Sequence, residues 1–283
     1  MTASGSRRAA RRRRQYSATL AAAREARPSH GTVSPVYPSG DVPARRAAWE
    51  GTFPRGAAWS LQSSTSPPAN VLALILLVNL LFEPLTILSL ANGPLRAGPP
   101  PGWKVRSIDG QPAPAVEIRN DGEGPVLRIQ GAGRAAWFYR ELPAPLTESP
   151  GSLSWSSRVV RAPVGADLRK AKTDDSPLRI YVVFGEPGLF GGSSRVIFYT
   201  FGAAEPDDYA RASFVSNKLH VIRAGGTRDV GRWSENAVNP FADYRRVWRR
   251  KPPSVVAVGV MQDTDQTRAM AVAELRRLEW LPR

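Results

Sequence analysis

Nine short runs of β-branched and aromatic residues follow one another from residue 115 to residue 280, and Gly, Pro, Asn and Asp punctuate the gaps. The runs lie mostly 10 to 25 residues apart, with almost no helical periodicity between them. This spacing predicts an antiparallel β-sandwich of the jelly-roll type. The predicted strands span residues 115–119, 125–130, 135–142, 153–161, 179–184, 195–201, 219–223, 254–261 and 272–280.

One short helix is predicted over residues 241–250. Asn239 can cap its first turn, and Pro240 suits the first helical position because an N–H there would have no helical partner. Apolar and aromatic side chains then recur every three or four residues along one face. The predicted fold is therefore all-β, a jelly-roll-like antiparallel sandwich with one short helix.

An apolar run upstream divides the chain into two unlike parts. The twelve residues from Val71 to Phe82 are uncharged, which fits the core of an export signal, whereas a membrane span needs about 20 residues. Counting on to Ala91 gives 21 residues, with Glu83 inside. Ser89 and Ala91 are the small residues that a signal peptidase prefers. A cleaved signal, an uncleaved anchor and a buried core helix all remain open.

Composition divides the chain into four segments. Residues 1–69 are rich in Arg, Ala, Ser, Pro and Gly, and are predicted to be a disordered basic region. Residues 70–91 are the signal core or anchor, residues 92–102 a Pro-rich linker, and residues 103–283 the sandwich. The nearest charge before the apolar run is Arg55, and a translation start downstream of Met1 would explain this gap.

Charge predicts the orientation of the chain. Residues 1–69 hold 11 Arg and 3 acidic residues, so by the positive-inside rule this side stays in the cytoplasm and the rest crosses the membrane. We therefore expect an exported protein, either periplasmic or anchored at the outer face of the inner membrane. The membrane is a partner through residues 71–91 if that segment is uncleaved.

Residue usage excludes several functional classes. The chain has no cysteine, which excludes disulfides, thiolate metal sites and a cysteine nucleophile. His220 is the only histidine after the apolar run, so a histidine pair for zinc is absent there. Its alternating surroundings indicate an ordinary strand histidine. The basic N-terminal region has no attached nucleic-acid-binding fold, and no nucleic-acid partner is expected.

Charged residues are densest between residues 161 and 184, where they precede and open a predicted strand. Three interpretations are open: a half-buried salt-bridge network, a ligand groove in which acids accept hydrogen bonds from sugar hydroxyls, or catalysis by a carboxylate pair such as Asp175 with Asp265. In the groove, Trp137, Tyr139, Trp155 or Tyr181 would provide an apolar platform. The candidate ligand-binding or charge-network residues are Asp167, Arg169, Lys172, Asp174, Asp175, Arg179 and Tyr181.

A second group of oxygen-bearing side chains follows the predicted strand 254–261. Asp263 and Asp265 stand at alternate positions and can converge on a hard cation, so they are the candidate metal ligands. Asp and Thr also suit tight turns because they hydrogen-bond backbone groups. A structural calcium ion and a capped turn both remain open, and no other cofactor is predicted.

Four segments carry a family resemblance, at residues 102–105, 166–184, 242–245 and 258–267. In their sequence and order, the chain resembles a bacterial family of exported proteins catalogued as domain of unknown function three thousand and forty-seven. The resemblance covers residues 102 to 280. It implies a jelly-roll sandwich similar in shape to carbohydrate-binding modules, and it implies no activity, because fold alone does not assign function.

These observations predict an exported, non-catalytic binding module for a glycan or another cell-envelope component. A glycoside- or polysaccharide-active enzyme that uses acidic residues is the first alternative. A purely structural envelope protein is the second. Two carboxylates that face one cleft about 5 to 10 Å apart would favour the enzyme.

Overall fold

A computed structural model describes residues 83–90, 95–108, 110–148, 151–186, 193–203 and 205–282. They form fourteen strands, a 3₁₀ turn at Thr227–Asp229 and one α-helix. The elements are β1 (Leu85–Leu88), β2 (Arg96–Ala97), β3 (Lys104–Ser107), β4 (Ala115–Asn120), β5 (Pro125–Gly131), β6 (Ala135–Leu146), β7 (Gly151–Arg161), β8 (Ser176–Phe184), β9 (Arg195–Phe201), β10 (Ala210–Ala212), β11 (Leu219–Gly225), β12 (Trp233–Val238), α1 (Pro240–Trp248), β13 (Val255–Asp263) and β14 (Ala271–Pro282).

The strands form two seven-stranded sheets. The first sheet has the order β12-β7-β14-β5-β4-β2, with β1 also paired to β14, and the second has the order β10-β11-β9-β8-β13-β6-β3. Pairing is antiparallel except between β9 and β11, which run parallel. The predicted sandwich with one short helix is confirmed. All nine predicted runs are strands, whereas β1, β2, β3, β10 and β12 are not among those runs, because they are short, polar or continuous with another apolar run.

Apolar side chains fill the space between the sheets and also cover the opposite face of the second sheet. Leu127, Trp155 and Ile180 belong to the core between the sheets. Every residue of β8 and β13 is buried, because their other face is covered as well. There Tyr181 packs in a second apolar cluster with Leu168, which lies in the loop between β7 and β8. That loop therefore closes part of the outer face of the second sheet.

Helix α1 begins where the sequence predicts and packs against the sandwich. The Asn239 side chain accepts a hydrogen bond from the Ala242 N–H at 2.9 Å, and Pro240 occupies the first turn. The Tyr244 ring lies 4.8 Å from that of Phe184. The helix ends at Trp248, because the next residue is left-handed with a φ of 53°.

Strand β1 changes the predicted boundaries of the sandwich. Ile87 and Leu88 are 1% and 2% exposed. The guanidinium of Arg140, which belongs to the second sheet, donates to the carbonyls of Thr86 and Ile87 at 3.0 Å each. Part of the predicted signal or anchor is thus a strand of the first sheet, and β2, within the predicted linker, pairs with β4. The packed structure therefore begins before residue 103.

The apolar run 71–82 and the basic region 1–69 lie outside the described residues, so their predicted roles in export stay predictions. Within the described ranges, no helix has the length and apolar character needed to cross a membrane.

Candidate functional site

The acidic residues that precede β8 meet those that follow β13. These strands are neighbours, and Asp263 lies opposite Ser176. One arginine binds both sides: Nη2 of Arg179 donates to the carbonyl of Asp174 at 2.6 Å and to its Oδ1 at 3.2 Å, and it lies 3.3 Å from Oδ2 of Asp263. Arg211 adds an ion pair to Asp174 at 2.7 Å. We call the group Asp174, Asp175, Arg179, Asp263 and Asp265 the charge cluster.

Asp175 caps the turn after β13. Its carboxylate accepts the N–H of Gln266 at 3.2 Å and the N–H of Thr267 at 2.7 Å, and it also accepts the Thr267 hydroxyl. The side chain is 1% exposed. Burial raises the pKa of Asp175, while the hydrogen bonds from Thr267 and Gln266 oppose the shift. Its donors are thus already in place within the chain.

Burial of Asp263 favours its protonated form. Burial raises its pKa to about 8, with Arg179 opposing and the neighbouring carboxyl groups of Asp265 and Asp175 adding to the rise. Oxygens of these three acids lie within 4.8 Å of one another. Their type and spacing fit a hard cation, but Arg179 and the proton on Asp263 already supply positive charge there. Calcium at Asp263 and Asp265 stays a prediction.

Three of the other predicted site residues lie in the loop between β7 and β8. Asp167 accepts from Arg169 at 2.8 Å and pairs with Lys170 at 3.1 Å. The hydrogen bond from Arg169 holds the pKa of Asp167 well below its usual range. Lys172 is exposed. The sequence predicted one group of site residues. In the structure, Asp167 and Arg169 pair with each other in the loop, and the charge cluster forms a separate set of contacts.

Tyr181, predicted as a ligand contact, is buried. Its hydroxyl donates to the carbonyl of Phe138 at 3.2 Å, and its exposed fraction is 0%. The ring lies across Gly259 on β13, where a Cβ would approach it to 2.6 Å. Tyr181 is therefore a packing residue, and the absence of a side chain at Gly259 makes room for it.

A cavity of about 260 Å³ lies between the two sheets, away from the charge cluster. We call it the inter-sheet cavity. Residues of β7 and β12 line one wall, and residues of β8, β9 and β11 line the other. Its lining comprises Trp155, Ser157, Val159, Leu178, Ile180, Tyr199, Phe201, Ala224, Gly225, Asp229, Ser234 and Asn236.

The β7–β12 wall carries polar side chains with free hydrogen-bonding capacity. Ser234 lies opposite Ser157, and Asn236 lies opposite Trp155. Within the described part of the chain, the side chains of Ser157, Ser234 and Asn236 make no hydrogen bond. On the other wall, the Tyr199 hydroxyl donates to Asp243 at 2.9 Å. The serines and the asparagine can therefore bind a molecule that enters the cavity.

A second cavity of about 390 Å³ adjoins the first, and we call it the outer cavity. It shares Ala224, Gly225 and Asp229 with the inter-sheet cavity. Its other lining residues are Asp207, Arg223, Gly226 and Arg228. The shared residues make the two cavities neighbours, and we call the two together the cleft.

Arg223 is held firmly in this cleft. Its side chain is 6% exposed, and a Cβ on Gly226 would come within 1.8 Å of its Nη2. Its Nη1 donates to Asp207, while its Nε is buried and has no partner among the described residues. A buried donor without a partner requires a water or ligand acceptor.

The carboxylates of the cleft are already engaged. The hydrogen bond and charge of Arg223, with the charge of Arg228, lower the pKa of Asp207. Asp229 accepts the N–H of Gly226 at 3.0 Å. Charges in the outer cavity balance, with two arginines and two aspartates. No residue of the charge cluster is among the described residues that line either cavity.

The sequence interpretation missed this cleft. Ser157, Ser234 and Asn236 stand alone in the sequence, and only the pairing of β7 with β12 brings them together. The adjacent glycines at 225 and 226 were the available signal, because they mark a close approach of a side chain to the backbone.

Comparisons with known proteins address family and fold. The model of a family described as protein of unknown function (DUF3047) matches residues 101–279. This confirms the resemblance found in the sequence. No curated protein matches the chain.

The chain is also similar to solved structures at low identity. For a family 11 carbohydrate-binding module from Clostridium thermocellum in complex with a β-1,3-1,4-mixed-linked tetrasaccharide, identity is 10% and the TM-score 0.39, over 70% of this chain and 96% of that one. For endoglucanase 3 of family GH12 from Trichoderma harzianum, identity is 12% and the TM-score 0.37, over 71% and 96%. Likeness at this level carries no argument about ligand or activity.

Proposed function

This chain belongs to the DUF3047 family, whose description assigns no activity, and from its own geometry we propose a non-catalytic binding module for a glycan or another hydroxyl-rich component of the cell envelope. The cleft between the sheets is the proposed site. The observation that carries the proposal is the wall of Ser157, Ser234 and Asn236, whose hydrogen bonds are unfilled within the described residues.

The chemistry of the cleft suits a neutral, hydroxyl-rich ligand. Hydroxyl and amide groups both donate and accept hydrogen bonds, as sugar hydroxyls do. Trp155 and Tyr199, whose ring centroids lie 5.8 Å apart, add apolar floor to the same cavity. The balanced charges of the outer cavity give no preference for an anion or a cation. The export predicted from residues 70–91 would place this cleft among envelope glycans.

The cleft supports binding and not hydrolysis. Glycoside hydrolysis requires a carboxyl group whose pKa is raised enough to donate a proton. The arginines lower the pKa of Asp207, so it stays ionised. Asp263 and Asp175 have raised pKa values, but neither lines the cleft. The described aspartates with raised pKa values therefore lie outside the cleft.

A glycan array probed with the detergent-solubilised full chain tests this proposal. We expect binding to at least one neutral glycan, and a two- to tenfold loss of affinity, roughly, for each of Ser234→Ala and Asn236→Ala, because each removes one hydrogen bond. Glu235→Ala is the matched control, since Glu235 lies between them and pairs with Arg277 on the opposite face. Binding that all three substitutions leave unchanged would place the site elsewhere.

A further inference from the structure

One end of the sandwich, beside helix α1, carries seven cations, six of them exposed and Arg195 partly buried. At this end β8 and β6 finish, while β9, β11 and β13 begin. Helix α1 packs here through Phe241 and Tyr244 against Phe184. We call this region the basic end; its cations are Arg195, Lys218, Arg245, Arg246, Arg249, Arg250 and Lys251.

A half-buried tryptophan stands at the centre of the basic end. Trp248, the last residue of α1, donates its indole N–H to the carbonyl of Asn217 at 3.0 Å. The guanidinium of Arg195 lies 5.8 Å from its ring centroid. Tryptophan beside arginine and lysine is typical of segments at a membrane–water interface, because the indole has both an apolar face and a polar N–H.

The positive charge of this end is only partly neutralised. Glu148 pairs with Arg245, and Asp243 pairs with Arg246. Arg249, Arg250 and Lys251 are exposed and have no carboxylate partner among the described residues. Glu83 and Glu186, which form no ion pair with another described residue, also lie at this end, and the seven cations outnumber its four described acids. A net positive surface therefore faces solvent.

The apolar run joins the sandwich at this same end. Phe82 is followed directly by Glu83, the first described residue, and β1 then begins with Leu85 opposite Trp280. The Trp280 ring lies 5.6 Å from that of Phe241 on α1. The twelve-residue apolar run therefore enters the fold next to the basic end.

We infer that the basic end docks on a bilayer surface that carries anionic phospholipid headgroups. Apolar residues that enter a membrane would bring the sandwich to it at the end where Arg249, Arg250 and Lys251 lie. Each cation close to an anionic leaflet strengthens membrane binding roughly fivefold. The basic end and the apolar run thus supply two signals for one membrane contact.

This orientation presents the cleft away from the bilayer. Strands β9 and β11 run parallel from the basic end, and their last residues, Phe201 and Gly225, line the inter-sheet cavity. A domain docked by the basic end would therefore open its cleft towards the opposite side. The docking does not depend on the proposed glycan binding.

Flotation of the full chain with lipid vesicles tests the docking. The variant combines Arg249→Asn, Arg250→Gln and Lys251→Gln; asparagine tolerates the left-handed backbone at position 249. The measured quantity is the ratio of binding to vesicles with phosphatidylglycerol over binding to vesicles of phosphatidylcholine alone. The apolar run and the N-terminal arginines are the same in every protein. We expect the variant to lower this ratio roughly ten- to hundredfold.

The control removes three exposed cations at the opposite end, by Arg161→Gln, Lys172→Gln and Arg232→Gln. It should keep the wild-type ratio, and thermal melts confirm that both variants fold. Equal losses in variant and control, or a ratio of one for the wild type, would overturn the inference. So would binding of a short DNA duplex that requires residues 249–251 while vesicle binding does not.

Discussion

The charge cluster and the cleft are both polar, but most hydrogen bonds of the charge cluster are made within the chain, with Nε of Arg179 and Oδ1 of Asp265 as exceptions among the described buried atoms. In the charge cluster, Arg179 binds Asp174 and Asp263, and Asp175 caps a turn. In the cleft, Ser234 and Asn236 have no partner among the described residues. A polar group whose bonds are filled holds the fold together, whereas one with unfilled bonds can recognise a ligand. The segment with the densest charge in the sequence, residues 161–184, therefore contributes mainly contacts that stabilise the fold.

The largest effect on stability is expected from removal of β1. The carbonyl groups of Thr86 and Ile87 on this strand accept hydrogen bonds from Arg140 on β6. A chain that starts at residue 92 loses Ile87, Leu88 and Leu90, each at least 95% buried. Burial of each such side chain contributes about 1.5–3 kcal/mol. We expect it to unfold at lower urea concentration than a chain that starts at residue 83. Equal midpoints would show that β1 is dispensable and that cleavage at Ala91 is compatible with the fold.

The next effect concerns Arg179→Leu. This change removes the guanidinium that Asp174 and Asp263 share, while Asp174 keeps its ion pair with Arg211, so we expect a cost of about 1–3 kcal/mol of unfolding free energy. Urea denaturation measures the loss, and glycan affinity should be unchanged. Arg169→Leu is the matched control, because it breaks an ion pair whose arginine is 49% exposed and should cost under about 1 kcal/mol. If both substitutions lowered the free energy of unfolding equally, the ion pairs of the charge cluster would stabilise the fold no more than an exposed pair does.

A third prediction concerns pH. The folded state binds a proton at Asp263 with a pKa of about 8, above the ordinary value of 3.8. The folded state therefore binds more protons than the unfolded state between these values, and this contribution to stability is lost as pH rises from about 4 to 8. Asp263→Asn should remove up to a few kcal/mol of that dependence, on the order of 1.4 kcal/mol per unit. Parallel pH curves for both proteins would contradict the assignment.

A smaller effect is expected from calcium at Asp263 and Asp265. A cation competes with the proton on Asp263, so its effect should grow with pH. We expect added calcium to raise the melting temperature more at pH 9 than at pH 6, relative to the chelated protein. Asp265→Asn should abolish that difference. No rise at either pH would show that Arg179 balances the cluster alone.

The smallest effect on stability is expected in the cleft. Ser234→Ala and Asn236→Ala remove groups that make no hydrogen bond within the described chain, so the free energy of unfolding should change by less than about 0.5 kcal/mol. A loss as large as that of Arg179→Leu would mean that these side chains brace the fold. The contrast between the two polar regions would then fail.

The sequence predicted the sandwich because its strands carry local signals. Strand β8 is largely apolar, with Ser176 and Arg179 as its polar residues, and Asn239 with Pro240 marks the start of α1. It did not predict β1, since Leu85–Leu88 continues an apolar run and hydropathy alone does not separate a core strand from an export signal. Strand β12 was also not predicted, because most of its residues are polar or small, although it pairs with β7 at the edge of the first sheet.

The site was harder to predict than the fold. The meeting of Asp175 with Asp263 and Asp265 was anticipated in part, because a carboxylate pair of Asp175 with Asp265 was one of the open interpretations. The cleft was not anticipated, because Ser157 and Asn236 lie 79 positions apart and meet only through strand pairing. Side chains with unfilled hydrogen bonds have no signature in sequence; a serine that recognises a ligand looks like any strand serine.

The most direct test of the contrast is hydrogen–deuterium exchange of the full chain with and without a saturating glycan selected from the array. We expect the ligand to slow exchange at residues 155–157, 223–229 and 234–236, and to leave residues 174–179 and 263–267 unchanged. Protection confined to 174–179 and 263–267 would contradict this expectation, because the ligand would then bind at the charge cluster and not in the cleft.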